Sequence, residues 1–241
     1  MRTPSAADLL SVWERGRNLP PVHQAIELLS VACLAESGED LFHLTIGQRD
    51  AALLSLREAT FGPDMCGVTE CPSCATRLEL SFSVSDVLLA KSREPLSEIF
   101  WEGADYAVCL RPPNSADVLA TFQASPEQRA NFLFHRCLIS ASHRGEPAAE
   151  LPAEFIDEAS SRICEADPQA DVQLRVACSF CGHKRSVLFD IGSFFWNEIE
   201  TWAERLLGEV HALASAYGWS ERDILSLSPL RRQFYLEAVR A

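Results

Sequence analysis

Nowhere in the 241 residues does an apolar run approach the roughly 18–20 residues that a bilayer-spanning helix needs. The opening stretch, MRTPSAADLLSVWERGRNL, has no uninterrupted apolar core and no small-residue cleavage site, so no secretory signal is read there. A cytoplasmic protein without a membrane partner is therefore expected. Basic charge is also scarce: 21 basic side chains face 34 acidic ones, for a net charge of −13. Such a surface repels phosphate backbones, which disfavours nucleic-acid binding. The best basic patch is the pair Arg231 and Arg232, whose plain reading is a solvated helix face. The phosphate-binding GxxxxGK[ST] and GxGxxG, the nucleophile elbow GxSxG and the zinc-protease HExxH are all missing. The six histidines make no obvious pairing with carboxylates. A non-enzymatic chain with no small-molecule substrate is the expectation.

Cysteine is what the chain does have. There are nine, at positions 33, 66, 71, 74, 109, 137, 164, 178 and 181, and the odd count speaks against a full disulfide framework. In a reducing compartment such cysteines bind metal or are simply buried. Cys71 and Cys74 open the stretch CPSCATRLELSFSV, in which Leu78, Leu80, Phe82 and Val84 alternate with polar residues, as a half-buried strand requires. Cys178 and Cys181 repeat the design. With Cys74 set on Cys181, Leu80 falls on Val187, Phe82 on Phe189 and Val84 on Ile191. This internal pseudo-repeat supplies two matching halves of one site.

The expected fold is α+β, a small zinc-ribbon-like β core built from two distant CxxC hairpins, with helical segments around it. Residues 1–62 read as an N-terminal helical unit. It holds a helix over 22–35 after Pro20 and Pro21 and a second over GQRDAALLSLREATFG, ended by Gly62 and Pro63. Residues 63–112 read as the first half of the core. Residues 113–171 read as an acidic helical insertion, with ten acids against four arginines. Residues 172–192 read as the second half of the core, and 193–241 as a helical partner-docking region. There Phe195, Ile199, Trp202, Leu206, Val210, Leu213 and Tyr217 recur at steps of three and four. Gly218 stops that helix, and Ser220 and then Ser228-Pro229 restart two shorter ones. Strands 78–84 and 185–191 are expected side by side, with 106–111 and 172–177 completing one small sheet.

Two turns presenting four thiolates about 2.3 Å from one ion would complete a tetrahedral site with Cys71, Cys74, Cys178 and Cys181 as ligands. Four thiolates suit zinc or iron, and they leave no open position for chemistry. Two other readings stand beside this one: loosely paired buried thiols, and a redox CxxC pair. His183, Cys66 and Cys109 are the reserve ligands, and Cys109 looks like core. Cys33, Cys137 and Cys164 look like packing residues in helices. Trp202, Trp219, Phe234 and Tyr235 are the kind of aromatic anchors that interfaces favour, with intramolecular burial as the bland reading.

The C-terminal stretch DIGSFFWNEIETWAERLLGEVHALASAYGWSERDILSLSPLRRQFYLEAV resembles that of the baseplate hub assembly chaperones of contractile-tailed phages. Related proteins are encoded beside phage-tail-like contractile injection systems. IGQRDAALLSLREATFGP, the CPSC turn, LRPPNSADVLA, EADPQADVQL and the CSFCGH turn carry the likeness back to about residue 45. The family's cysteine turns match Cys71, Cys74, Cys178 and Cys181. Its Trp-Ser and Ser-Pro-x-Arg-Arg elements match Trp219-Ser220 and Ser228-Pro229-Leu230-Arg231-Arg232. The second turn departs by lacking a proline between its cysteines. The resemblance implies a non-enzymatic role in building the baseplate or its hub, with tail proteins as partners, in the cytoplasm or in a tail-like particle. The other readings to be weighed are a zinc-ribbon regulator of nucleic acid and a chaperone switched by thiol oxidation.

Overall fold

The structure, a computed structural model, describes residues 3–32, 38–89, 97–103, 105–148, 151–152 and 154–240. Cys33 and the end of the helix expected over 22–35 lie outside them. The chain forms two compact units, one of residues 1–34 with 192–241 and the other of residues 35–191. Among the described residues, no helix is long and apolar enough to cross a membrane.

The first unit is helical. Helix α1 (Ala6–Gly16), which the sequence reading left without an element, starts at a reciprocal cap between Ser5 and Asp8. Helix α2 (Pro21–Ser30) begins on its own proline. The long helix α9 (Ile191–Tyr217) runs for 27 residues, about 40 Å. Of the stripe read from its periodicity it buries Phe195, Ile199, Leu206, Val210 and Leu213, with Trp196 and Ala203 beside them, while Trp202 is half-buried and Tyr217 exposed. Gly16 lets α1 approach α9 closely, since a Cβ there would lie 2.4 Å from the Trp196 ring. Gly218, at φ +69°, ends α9 as only glycine does without strain. Helices α10 (Glu221–Ser226) and α11 (Pro229–Arg240) fold back on its last turns, burying Val210, Leu213, Ile224 and Leu236 together.

The second unit mixes helices and sheets, so the α+β class holds. In chain order it contains α3 (Gly38–His43), α4 (Ile46–Phe61), β1 (Asp64–Glu70), β2 (Arg77–Ser83) and α5 (Val84–Val87). Then come β3 (Ile99–Gly103), β4 (Tyr106–Leu110), α6 (Ser115–Thr121) and α7 (Arg129–Cys137). They are followed by β5 (Leu138–His143), β6 (Glu146–Pro147), α8 (Glu154–Ala166), β7 (Gln173–Ala177) and β8 (Lys184–Leu188).

The single small sheet expected from the sequence is not formed. β1 pairs only with β2 and β7 only with β8, while β4 sits in a separate four-stranded sheet of order β3-β4-β5-β6. That sheet has its own core, in which Ile99, Trp101, Val108 and Leu110 pack against Phe134 of α7 and Phe155 and Ala159 of α8. The segment expected to be helical over 113–171 therefore contains two strands. The reason is the turn Arg144-Gly145, where both residues have positive φ (53° and 84°), the geometry of a two-residue hairpin loop. Cys164 is exposed on α8 and not a packing residue, whereas Cys137 is fully buried.

Three of the segments on which the family likeness rests meet in this unit. Helix α4 is capped reciprocally by Thr45 and Gln48. Its next amide, that of Gly47, donates to Asp167 Oδ2 at 2.9 Å, across 120 residues of chain. The Ile46 amide donates to the Pro113 carbonyl, and Arg49 reaches Ser115 Oγ at 3.4 Å. In LRPPNSAD, Asn114 caps α6, and Arg111 grips the buried Asp117 with two bonds of 2.6 and 3.0 Å. Arg136 adds a third at 2.9 Å. Burial alone would raise the Asp117 carboxyl, but the Arg111 and Asn114 hydrogen bonds outweigh it and hold the group below the usual range. Asp50 is the opposite case. Burial, opposed by Arg49, pushes it up to about 6. From EADPQAD, Gln169 accepts from the Leu89 amide and donates to the Val87 carbonyl. The α4 helix thus buries Arg49, Asp50 and Arg57 as well as Leu53, Leu54 and Leu56, which its apolar pattern alone did not reveal.

A Cβ at Gly47 would stand 1.8 Å from Asp167 Oδ1, so Gly47→Ala must break the tie between α4 and the 167–169 segment. The variant is expected to lose about 1–3 kcal/mol in urea unfolding. Gly103→Ala, with nothing within 4 Å of its Cβ, should stay within about 0.5 kcal/mol of the parent chain.

Candidate metal centre

Each cysteine pair sits on the tight turn of a β-hairpin. In the first, β1 and β2 pair in register from Asp64↔Ser83 to Glu70↔Arg77. The Cys71 amide donates to the Thr76 carbonyl at 2.9 Å, and the Ala75 amide donates to the Cys71 carbonyl at 2.8 Å. In the second, the Cys178 amide donates to the His183 carbonyl at 2.8 Å, and the Gly182 amide to the Cys178 carbonyl at 2.9 Å. The same two bonds recur at equivalent positions. The residue after the second cysteine has positive φ in both turns, 54° at Ala75 and 73° at Gly182. The pseudo-repeat read from the sequence is therefore a repeat of backbone conformation.

The four sulfurs of Cys71, Cys74, Cys178 and Cys181 all lie within 4.8 Å of one another. Cys71 Sγ is 3.6 Å from Cys181 Sγ, and Cys74 Sγ is 3.7 Å from Cys178 Sγ. These two contacts exchange when the two hairpins are exchanged, so the cluster has an approximate two-fold axis. Sulfurs about 2.3 Å from one tetrahedral ion stand about 3.8 Å apart, so the spacing fits such an ion. The hairpins meet around a small apolar cluster of Leu78 and Leu80 from one with Leu174, Val176 and Val187 from the other. Phe82 and Phe189, equivalent under the repeat, touch edge to face at 5.2 Å. Arg185 reaches across from β8, its guanidinium donating to the Thr69 hydroxyl and the Glu70 carbonyl.

The thiols do not share one acidity. The Thr76 hydroxyl and amide beside Cys74 bring its thiol down to about 6. The Cys181 amide, joined by that of Phe180, lowers Cys178. The His183 amide pulls Cys181 the same way, but burial and the crowding sulfurs of Cys74, Cys71 and Cys178 push it up to about 11. Like charges gathered this closely oppose one another's ionisation, and a divalent cation at their centre removes that conflict.

The reserve ligands lie elsewhere. Cys66 is exposed on β1 and contacts Ser81 Oγ at 3.8 Å, while Cys109 is buried in β4. His183 is exposed and is not among the groups that could share an ion among the described residues. All eight described cysteines are free.

The residues expected to face a partner fall into two groups. Trp202 is half-buried on α9. Tyr217, Trp219 and Tyr235 form an aromatic cluster, with Trp219 stacked on Tyr217 at 4.7 Å and edge-on to Tyr235 at 4.9 Å. Phe234 is 67% exposed, and so is its helical neighbour Leu230, at 81%, which the sequence reading did not single out. Arg231 is exposed. Arg232 is buried, with Nε 3.1 Å from Glu209 of α9 and Nη1 donating to the Leu227 carbonyl.

Glycine at the left-handed position of the second turn, against alanine in the first, gives a direct check on the repeat. Gly182→Ala should lower the melting temperature, at a cost of about 1–2 kcal/mol. Ala75→Gly should leave it unchanged or raise it. Equal losses in both would show that the two turns are not equivalent.

A model of the family described as T4 bacteriophage base plate protein matches residues 7–196. No curated protein and no solved structure matches the chain. The matched span takes in α1, both cysteine hairpins and the Gly47–Asp167 tie, and it ends in the second turn of α9. The stretch from Tyr217 to Arg232, with α10 and the start of α11, lies beyond it. On a match over most of its length, the chain belongs to the T4 bacteriophage base plate protein family.

Proposed function

We propose that the chain is a non-enzymatic assembly chaperone for the baseplate hub of a contractile phage tail or tail-like injection system. In this reading it is folded around one structural zinc held by Cys71, Cys74, Cys178 and Cys181. The observation that carries the reading is the family match, which spans the whole four-thiol cluster. A four-sulfur shell leaves no coordination position open to substrate, which fits a metal that holds two hairpins together. The lack of nucleotide, hydrolase and protease motifs agrees with a role by binding.

The docking element in this reading is the outer face of α11. Leu230 and Phe234 stand one turn apart, both largely exposed, with Arg231 beside them. Phe234 touches Tyr235 at 5.7 Å, Tyr235 packs on Trp219, and Arg232 ties α11 to Glu209 of α9. An aromatic and aliphatic pair with an arginine at its rim is the composition of an interface anchor.

Two experiments test this. The purified chain should hold one zinc per molecule, and Cys178→Ser should lose most of it and melt at a lower temperature. A variant that keeps full metal would refute the ligand assignment. From cells expressing the neighbouring tail genes, the tagged chain should co-purify a hub or tape-measure protein. The Leu230→Ala/Phe234→Ala variant should capture far less of it with an unchanged melting temperature, because both side chains are exposed. Undiminished capture would remove α11 from the interface.

A further inference from the structure

The two cysteine hairpins are alike in backbone and opposite in charge. The first, residues 64–83, carries Asp64, Glu70 and Glu79 against Arg77. The second, residues 173–188, carries Arg175, Lys184 and Arg185 and not one carboxylate. In a chain of net charge −13 this is a local reversal, and Lys184 is one of only two lysines in the protein.

The register of the second hairpin fixes where that charge points. Arg175 pairs with Ser186 and Ala177 with Lys184, and all four side chains are exposed. They share the outer face, while Leu174, Val176 and Val187 turn inward to the apolar cluster beneath the thiols. Arg175 and Lys184 are thus diagonal neighbours on one face, about 7 Å apart. Between them Ala177 and Ser186 are short, and a hollow of about 320 Å³ is lined by residues of both strands at this point. Neither the Arg175 nor the Lys184 side chain has a hydrogen bond or ion pair among the described residues, whereas the Arg185 guanidinium is spent on Thr69 and Glu70. Leu188 flanks the face at 64% exposure.

We propose that the outer face of the β7–β8 hairpin docks an acidic, extended segment of a partner protein with the pattern acid-x-acid. In an extended strand, side chains two residues apart lie on one side about 6.6 Å from each other. That spacing matches the diagonal of Arg175 and Lys184, so each carboxylate meets one cation. The residue between them points away, and an apolar neighbour can cover Leu188. A duplex nucleic acid is disfavoured, because its repeating phosphates would also meet the acidic rest of a chain whose net charge is −13. This surface shares no residue with the α11 face, and it stands whether or not the chain serves a hub.

The test is fluorescence anisotropy of the full chain with a labelled peptide carrying Glu-Val-Glu-Leu in a Ser/Thr-rich frame. Binding is expected at about 50 mM salt and should weaken severalfold by about 300 mM. Arg175→Glu/Lys184→Glu should reduce affinity at least about tenfold, with metal content and melting temperature retained. Arg175→Ala/Lys184→Ala serves as the milder variant should the reversal perturb folding. Leu230→Ala/Phe234→Ala should bind the peptide like the parent chain. No binding by the parent chain, undiminished binding by both hairpin variants, or equal affinity for a DNA duplex would each overturn the proposal. So would self-association of the chain through this hairpin.

Discussion

Four cysteine sulfurs within 4.8 Å of one another set the terms for the second unit. The two turns that supply them stand more than a hundred residues apart in the chain. Closing so long a loop is costly in entropy, and a few small apolar contacts between two-stranded hairpins return little of it. Two hairpins of this size are marginal alone. An ion shared by the four thiols, as proposed above, would supply what the apolar cluster cannot and would also resolve their competition for charge.

The intervening chain makes that closure easier by having structure of its own. Strands β3 to β6 form a four-stranded sheet that shares a core with α7 and α8 around Trp101 and Phe155, which stack at 6.1 Å. Its exits are tied back by side chains. Asp167 holds the first turn of α4, and Gln169 holds the chain just after α5. The second hairpin follows within a few residues of these ties, so it is delivered beside the first. Three stretches whose sequences carried the family likeness thus prove to be the fasteners of this arrangement. The first unit contributes a different kind of surface, helical and ending in the aromatic cluster of Tyr217, Trp219 and Tyr235.

The cysteine hairpins were legible because their signals are local and doubled. Each turn announces its thiols, and the alternation after it survives in both copies. The long helix was legible through its stripe, and Gly218 through its position. Of the four-stranded sheet only β4 was legible, as the strand expected over 106–111, though it pairs with other strands than expected. Its β5 strand follows α7 without a break, and the turn that ends it, Arg144-Gly145, places an arginine where glycine or asparagine usually stands. β1 was hidden for another reason. In DMCGVTE only Met65 is buried, so no apolar alternation marks the strand. The buried Arg49, Asp50 and Asp117 are invisible to any apolar pattern, since their burial depends on partners distant in sequence. Arg232 looked like half of a surface pair, but its alignment with Glu209 needs the turn between α9 and α11 to be known first.

X-ray absorption at the metal edge of the purified full-length chain tests the central claim most directly. The account predicts one zinc per chain with four sulfur neighbours at about 2.3 Å and no nitrogen or oxygen in the first shell. A shell with fewer sulfurs, or a chain that folds with its four thiols free of metal, would contradict it.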